Sequence, residues 1–399
     1  MTGTGDLPSD DITLCLVVSN RNGNLANALH SGSRLAAHIV VVDSGSSGRS
    51  VAHLASEYDA RYLQVPADPD ESALLNMALD KVESIWALFL RQQEVLHNDD
   101  PAAIFKQLHS DKVLAFELPV VYFHEPANHH FETRLFRANA GIQWQHQIYP
   151  TVDESLAAAV ESKGLAPQPK ILATSAIVSL GEPDWEEWEL KDALIRIERE
   201  LDTDSNQVRY WFHLAELATK LEEWDRAHAA VEEGLSVISR ASGIALEQPQ
   251  AVNGLISMFC GTMLRSEYYP ENTVESLLTI FLNMAGDGRL GVPLGRLLLA
   301  VGRVDDAIKV QRLAVENFFH QRHYHMNLAE GLYQPVMFEW EMCWNKSGDE
   351  LLDSVVEVQT ILGRHNYKLQ SILAYIYEHH QKLFFEIQTV LQRSLKKFD

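Results

Sequence analysis

The chain has 399 residues, of which 46% are hydrophobic and 22% charged, a balance typical of soluble globular proteins. Its length exceeds that of one typical hydrophobic core and predicts two domains. The formal net charge is −22 at pH 7. A surface this negative repels phosphate backbones, which excludes nucleic acid as the main partner.

The cysteines and the N-terminal residues indicate the cellular compartment of the protein. Cys15, Cys260 and Cys343 are far apart and form no CxxC, and their odd number argues against a disulfide framework. Residues 1–11 are polar and acidic and predict a flexible N-terminus without a signal peptide. No apolar stretch reaches the roughly 18 residues of a membrane span. We therefore expect a cytoplasmic protein.

The first part of the chain alternates apolar strands with helices. Strands are predicted at 12–18, 38–42, 61–65 and 85–90, and further strands at 118–123 and 133–136. The first four strands, with a helix after each of the first three, predict an α/β domain with a doubly wound, mostly parallel sheet. Ligands of such sheets bind at the carboxyl ends of the strands. The loops at 19–24, 43–48 and 91–97 are therefore the candidate site.

From residue 182 to residue 399 the apolar periodicity is mostly helical. Leu214 and Ala227 are thirteen positions apart, as are Leu294 and Ala307, and another small residue follows seven positions later in both segments. Small side chains at these positions let two antiparallel helices approach closely. The spacing resembles the tetratricopeptide repeat and predicts an all-α repeat domain. An ordinary helical bundle stays open as the alternative.

Five stretches of the first part occur in an order and spacing that resemble one family: 17–20, 39–46, 71–79, 85–90 and 132–137. Together they resemble the family 2 inverting glycosyltransferases with the GT-A fold. A subgroup of that family has tetratricopeptide-type helices after the catalytic domain. The resemblance implies a glycosyltransferase-like domain over 12–181, preceded by the flexible 1–11 and followed by the repeat domain over 182–399.

The chain departs from that family at its chemical positions. The family's Asp-x-Asp-Glu string, whose acids bind a divalent cation, corresponds here to Arg91-Gln92-Gln93-Glu94. Hard cations prefer carboxylate oxygens, so no metal is expected. Three further family positions also differ, namely Gly48, the stretch 147–150 and the stretch 179–181. These losses predict a pseudoenzyme.

Five residues are candidates for what remains of the site. The resemblance implies that Asp43 contacts the nucleotide, and a turn-forming role before glycine is its alternative. Asn20 at the end of the first strand is a further contact candidate. The Arg91 guanidinium can neutralise a diphosphate in place of a cation, and a solvent-exposed arginine is the alternative. Glu94 and Glu125 are the candidates for a general base, against the commoner role of surface carboxylates.

Two functions follow from the sequence. The first is a non-catalytic accessory or scaffold whose repeats bind a partner protein or peptide, including a genuine glycosyltransferase. The second is an active, metal-independent glycosyltransferase that moves a sugar from a nucleotide sugar, such as a UDP-sugar, to a protein or peptide acceptor. An apolar stripe near the end of the chain predicts a helix that caps the repeats, with a homodimer or partner surface as the alternative: Phe384, Ile387, Leu391 and Leu395.

Two groups of histidines are predicted to be solvated or packed rather than metal-binding. They are His124, His129 and His130, and His320, His323 and His325.

Overall fold

The computed structural model describes most of the chain. The described residues are 8–19, 24–45, 49–66, 70–98, 101–110, 112–123, 125–165, 170–172, 175–181, 185–240, 249–267, 269–283, 288–319, 328–365, 367–379, 385 and 388. The chain divides into two compact units, Met1–Glu186 and Glu187–Asp399. The predicted terminal stripe, the cluster at 320–325 and His124 lie outside the described residues, as does the side chain of His129.

A nine-stranded mixed sheet forms the centre of the first unit, in the order β3-β2-β1-β4-β7-β6-β9-β5, with β8 also paired to β6. The strands β1 to β4 are mutually parallel, and β7 inserts antiparallel between β4 and β6. The strands are β1 Ser9–Ser19, β2 Ala36–Ser44, β3 Arg61–Val65, β4 Trp86–Arg91, β5 Glu94–Asn98, β6 Ala115–Tyr122, β7 Glu125–Arg137, β8 Lys170–Ile171 and β9 Ser175–Ser179.

Helices cover both faces of this sheet, because its central strands are apolar on both sides. The helices are α1 Leu25–Gly32, α2 Arg49–Glu57, α3 Glu71–Leu79, α4 Pro101–Leu108 and α5 Asp153–Ser162. Leu29, Ala55 and Ile104 of α1, α2 and α4 join one buried core. Ala78 and Leu156 of α3 and α5 join a second. This confirms the predicted α/β fold class with a doubly wound sheet.

The structure corrects one predicted loop and adds two helices. The stretch 91–97 contains strand β5, which pairs antiparallel with β9 from Glu94↔Ser179 to Asn98↔Ser175. Only a two-residue turn remains between β4 and β5. Helices α4 and α5 have no counterpart in the sequence prediction.

The second unit is all helical among the described residues, as the fold class predicts. Successive helices of α6–α8 and of α11–α15 pack against each other. The helices are α6 Glu187–Thr203, α7 Val208–Lys220, α8 Trp224–Arg240, α9 Pro249–Ser266, α10 Glu271–Asn283, α11 Gly288–Ala300, α12 Val304–Phe318, α13 Leu328–Lys346, α14 Gly348–Arg364 and α15 Leu369–His379.

Two helical hairpins of this unit, α7–α8 and α11–α12, repeat one local geometry eighty positions apart. Each has a three-residue turn closed by the same backbone hydrogen bond. Glu223 N donates to Ala218 O over 2.8 Å, and Arg303 N donates to Leu298 O over 2.8 Å. The helices of each hairpin approach closely because the small residues of the predicted spacing, Ala227 and Ala307 among them, are buried. The assignment of these hairpins to the tetratricopeptide class stays a prediction.

Each turn is also tied to the helix that precedes its hairpin, by one arginine between two carboxylates. The nitrogen–oxygen distances are 2.5–2.8 Å, for Arg226 with Glu223 and Glu198 and for Arg303 with Asp306 and Glu275. The two hairpins place the arginine and the acidic residue of the turn in opposite order. Position 223 is acidic and 226 basic in the first, whereas the corresponding 303 is basic and 306 acidic in the second.

Candidate functional site

The carboxyl edge of the parallel strands brings two of the predicted residues together. Val17 of β1 pairs with Arg91 of β4 on one side, and its neighbour Val18 pairs with Asp43 of β2 on the other. Both candidates therefore lie at the edge where ligands of doubly wound sheets bind. Asn20, which continues β1, lies outside the described residues.

The string Arg91 to Glu94, which the sequence resemblance aligns with a metal motif, forms a tight turn from β4 into β5. Arg91 N donates to Glu94 Oε2 over 2.7 Å, so the carboxylate closes the turn across its own backbone. Gln93 O accepts a hydrogen bond from Leu180 N over 3.0 Å, which fixes the turn to the end of β9. The Gln92 side chain is buried. All four residues of the string are thus held in the turn by hydrogen bonds or by burial.

The Glu94 carboxylate is bound by a guanidinium. Arg134 on β7 donates from Nη2 to Glu94 Oε1 over 3.0 Å and from Nη1 to Glu94 Oε2 over 3.2 Å. The two side chains are only 3% and 2% exposed. A paired fork of this kind satisfies both carboxylate oxygens at once. Glu94, predicted as a candidate general base, is held in a buried bidentate ion pair.

A second carboxylate extends this pair into a network. Glu132, on the same face of β7, accepts from Arg134 Nε over 2.6 Å and lies 2.6 Å from His130 Nε2. Burial opposes its ionisation, but the charges of Arg134 and Arg91 and the contact with His130 prevail, so the pKa of Glu132 is well below its usual range. Arg91 thus acts electrostatically on a carboxylate of the chain itself.

Asp43 is fully buried at the end of β2. Its Oδ2 accepts a hydrogen bond from the Tyr62 hydroxyl over 2.6 Å. Burial of Tyr62, followed by that hydrogen bond and the negative charge of Asp43, raises the pKa of Tyr62 to about 12. The carboxylate predicted to contact a nucleotide is therefore bonded to a neighbouring strand.

A divalent cation, which the resemblance implies, does not fit the residues at this edge. The turn offers a single carboxylate, Glu94, and the Arg134 guanidinium takes both its oxygens. Arg91 and Arg134 add positive charge where a cation would need carboxylate oxygens. Among the residues that the structure describes, no group of three or more histidine, cysteine or acidic side chains is arranged to hold a metal.

Of the remaining candidate positions, some lie outside the described part of the structure. Glu125 is the first residue of β7, and its side chain lies outside the described part of the structure, as does Gly48. Tyr149, in the stretch 147–150, has a φ of 49° and stacks on Trp185 with ring centroids 6.4 Å apart.

Sequence reasoning missed the residues that dominate the site, Arg134 and Glu132. The predicted strand, 133–136, contained Arg134 but neither Glu132 nor His130. In the structure the strand begins at Glu125, so His130, Glu132 and Arg134 alternate along it, and alternate residues of a strand share one face. Their partner Glu94 is forty positions away in the sequence, and only the pairing of β7 with β4 brings it close.

Comparison with known proteins gives similarity to solved structures only. No protein-family model matches the chain, and no curated protein does. The chain is similar to the crystal structure of S. aureus TarS 1–349 in complex with UDP, with 13% identity and a TM-score of 0.34 over 79% of this chain and 93% of that one. The complex of the same fragment with UDP-GlcNAc gives the same identity, TM-score and coverage. A further TarS structure matches with 13% identity and a TM-score of 0.32, over 74% of this chain and 54% of that one.

None of the helices among the described residues is long and apolar enough to cross a membrane.

Proposed function

We propose that this chain is a non-catalytic accessory or scaffold protein, in which a glycosyltransferase-like unit is kept for its shape and the helical unit binds a partner protein. The observation that supports it best is the buried Glu94–Arg134 pair at the metal-motif turn. A transferase needs a general base for the acceptor hydroxyl and positive charge for the leaving diphosphate. Here the carboxylate and the guanidinium neutralise each other.

Breaking this pair to release a base is energetically costly. Removing one partner of a buried ion pair typically costs about 3–5 kcal/mol. A catalytic cycle that used Glu94 as a base would have to separate it from Arg134 at each turnover. Burial of Asp43 supports the same reading, because a side chain that is 0% exposed and bonded to the Tyr62 hydroxyl is not open to a nucleotide.

The helical unit supports the second half of the proposal. Its surface exposes several large apolar side chains, and stacked helical hairpins present extended surfaces that commonly bind proteins or peptides. Five of these side chains are at least half exposed, namely Trp188 at 68%, Val356 at 56%, Leu282 at 53%, Phe385 at 52% and Trp224 at 51%.

The test of catalysis is transfer and donor hydrolysis measured across several nucleotide sugars, with manganese and with chelator. We expect no turnover in any condition. Calorimetric titration with UDP-sugars tests whether the donor still binds, and we expect no heat of binding at millimolar ligand.

The alternative, a metal-independent glycosyltransferase, rests on the partly exposed Arg91 at the carboxyl edge. It predicts transfer in chelator that is lost in Arg91→Gln. That result would replace the present proposal.

The test of partner binding is the native mass of the protein isolated from its own cells by mild affinity purification. We expect a complex of fixed stoichiometry. A stable monomer under native conditions, with no protein recovered in stoichiometric amount, would contradict the scaffold function.

A further inference from the structure

A surface pocket opens at the turn between α7 and α8. It has a volume of about 400 Å³ and is lined by residues 222–226. The largest of these side chains is Trp224, which is 51% exposed at the first position of α8. About half of this indole is open to solvent, so a ligand can reach its ring.

The ring of Trp224 already attracts a cation. The Arg265 guanidinium carbon, from the end of α9, lies 5.0 Å from the ring centroid. The negative faces of an aromatic ring attract cations at such distances, and tryptophan does so most strongly. One cation of the chain therefore marks the kind of group that this ring binds.

The rim of the pocket is negatively charged. Glu222 and Asp225 flank Trp224 and are exposed, and neither carboxylate has a cationic partner among the described residues. Glu223, by contrast, is bound by Arg226 over 2.8 Å. Two carboxylates beside an exposed indole favour a cationic ligand and disfavour phosphates.

The second hairpin shows that folding does not require these residues. Its corresponding turn has Gly302 where the first has Glu222, and valine where the first has Trp224. Its counterpart of Asp225 is Asp305, which is paired with Lys346 over 2.8 Å. Glu222 has a φ of 60°, a left-handed conformation that glycine adopts without strain. The first turn thus keeps a strained glutamate and an exposed tryptophan that the same geometry elsewhere does without.

We propose that this turn is a binding site for an arginine or lysine side chain in a basic segment of a partner protein. The cationic group would lie over the exposed part of the Trp224 ring, with the carboxylates of Glu222 and Asp225 beside it. The inference rests on the proposed scaffold function and deepens it, because it names the chemistry by which the helical unit recognises its partner.

The direct test is a titration of the full-length protein with a short acetylated peptide that contains two arginines separated by glycine. The control peptide has citrulline at both positions, which keeps the shape and removes the charge. The readout is the indole N–H resonance of Trp224, assigned by comparison with Trp224→Val. We expect saturable shifts with the arginine peptide at millimolar concentration and none with the citrulline peptide.

Variants locate the binding, and they are followed through the backbone amide resonances of residues 222–226, because Trp224→Val removes the indole resonance. Trp224→Val copies the second hairpin and so preserves the fold, and we expect it to weaken the peptide about tenfold, the loss of one cation–π contact with partial desolvation. Asp225→Asn should weaken it about threefold, and Asp305→Asn, the matched control in the other turn, should change nothing. Binding to Trp224→Val as tight as to the wild type would overturn the site, as would equal binding of the citrulline peptide.

Failure here is distinguishable from failure of the scaffold function. If native purification yields a stoichiometric complex that is equally stable with Trp224→Val, the scaffold function stands and this site is refuted. If the wild type yields no complex but binds the arginine peptide through Trp224, the site stands and the scaffold function fails.

Discussion

Replacing Arg134 by methionine removes the cation from the centre of the ion-pair network while keeping most of the side-chain volume. Glu94 then remains 2% exposed with one hydrogen bond, from Arg91 N, in place of three. Glu132 loses its 2.6 Å contact with Arg134 Nε. Because a buried carboxylate is left without its cation, we expect a loss of about 3–5 kcal/mol in the free energy of unfolding.

The measurement has to report on the first unit alone, since the chain has two. Hydrogen–deuterium exchange of the β4 and β7 amides does so and gives a local opening free energy. The matched control is Arg61→Met in the same unit, where Arg61 and Glu83 form a 3.1 Å pair with side chains 52% and 87% exposed. We expect that control to cost at most about 1 kcal/mol.

A double variant separates the charge effect from packing. Adding Glu94→Leu to Arg134→Met removes the stranded carboxylate, so the double variant should be more stable than Arg134→Met alone. Two results would refute the reasoning. One is an Arg134→Met cost no larger than that of Arg61→Met, and the other is a double variant that regains nothing.

Three further predictions concern stability. The lowered pKa of Glu132 contributes stability that is present above the ordinary carboxyl pKa and is lost as pH falls through the lowered value, so Glu132→Gln should be less stable than wild type at pH 7 and converge with it in acid. Urea unfolding across pH measures this, and a pH-independent difference would contradict it. Gly302→Ala should cost about 1 kcal/mol of unfolding free energy through its φ of 81° alone, since no atom lies within 4 Å of the added carbon. Glu222→Gly should be neutral or stabilising, because Glu222 has a left-handed φ of 60° that glycine adopts without strain. Thermal unfolding tests the pair, and equal losses in both would contradict it. Tyr62→Phe should cost about 1–3 kcal/mol by leaving the buried Asp43 short of a donor, and exchange of the β2 amides measures that.

The parallel half of the sheet was predictable because its strands are buried on both faces. Runs such as 39–42 are short, rich in β-branched residues and followed by turn residues, a combination that favours a central strand over a helix. The prediction at 61–65 coincides with β3, Arg61–Val65. The hairpin spacing was equally readable, because thirteen positions between Leu214 and Ala227 fix where two helices touch.

The site was not predictable to the same degree, for reasons of sequence distance. Strand β5 is held by β9, about eighty positions later, and its own sequence has no apolar run. The position of Arg91 was readable from the end of the fourth strand. The pairing of Glu94 with Arg134 was not predictable from the sequence. A local pattern places a carboxylate near a turn, but it does not identify the distant cation that binds it.

The arginine ties of the two helical hairpins have the same signs but different positions. In both, the preceding helix supplies a glutamate and the turn supplies the arginine, as Glu198 with Arg226 and as Glu275 with Arg303. With the offset of eighty positions between the hairpins, Arg303 and Glu275 correspond to positions 223 and 195, so both ends of the second tie are displaced by three residues. Three residues are about one turn of a helix. The tie therefore fixes the register in which each preceding helix lies against its turn, and a helix from the other hairpin would have to shift by about one turn to form it.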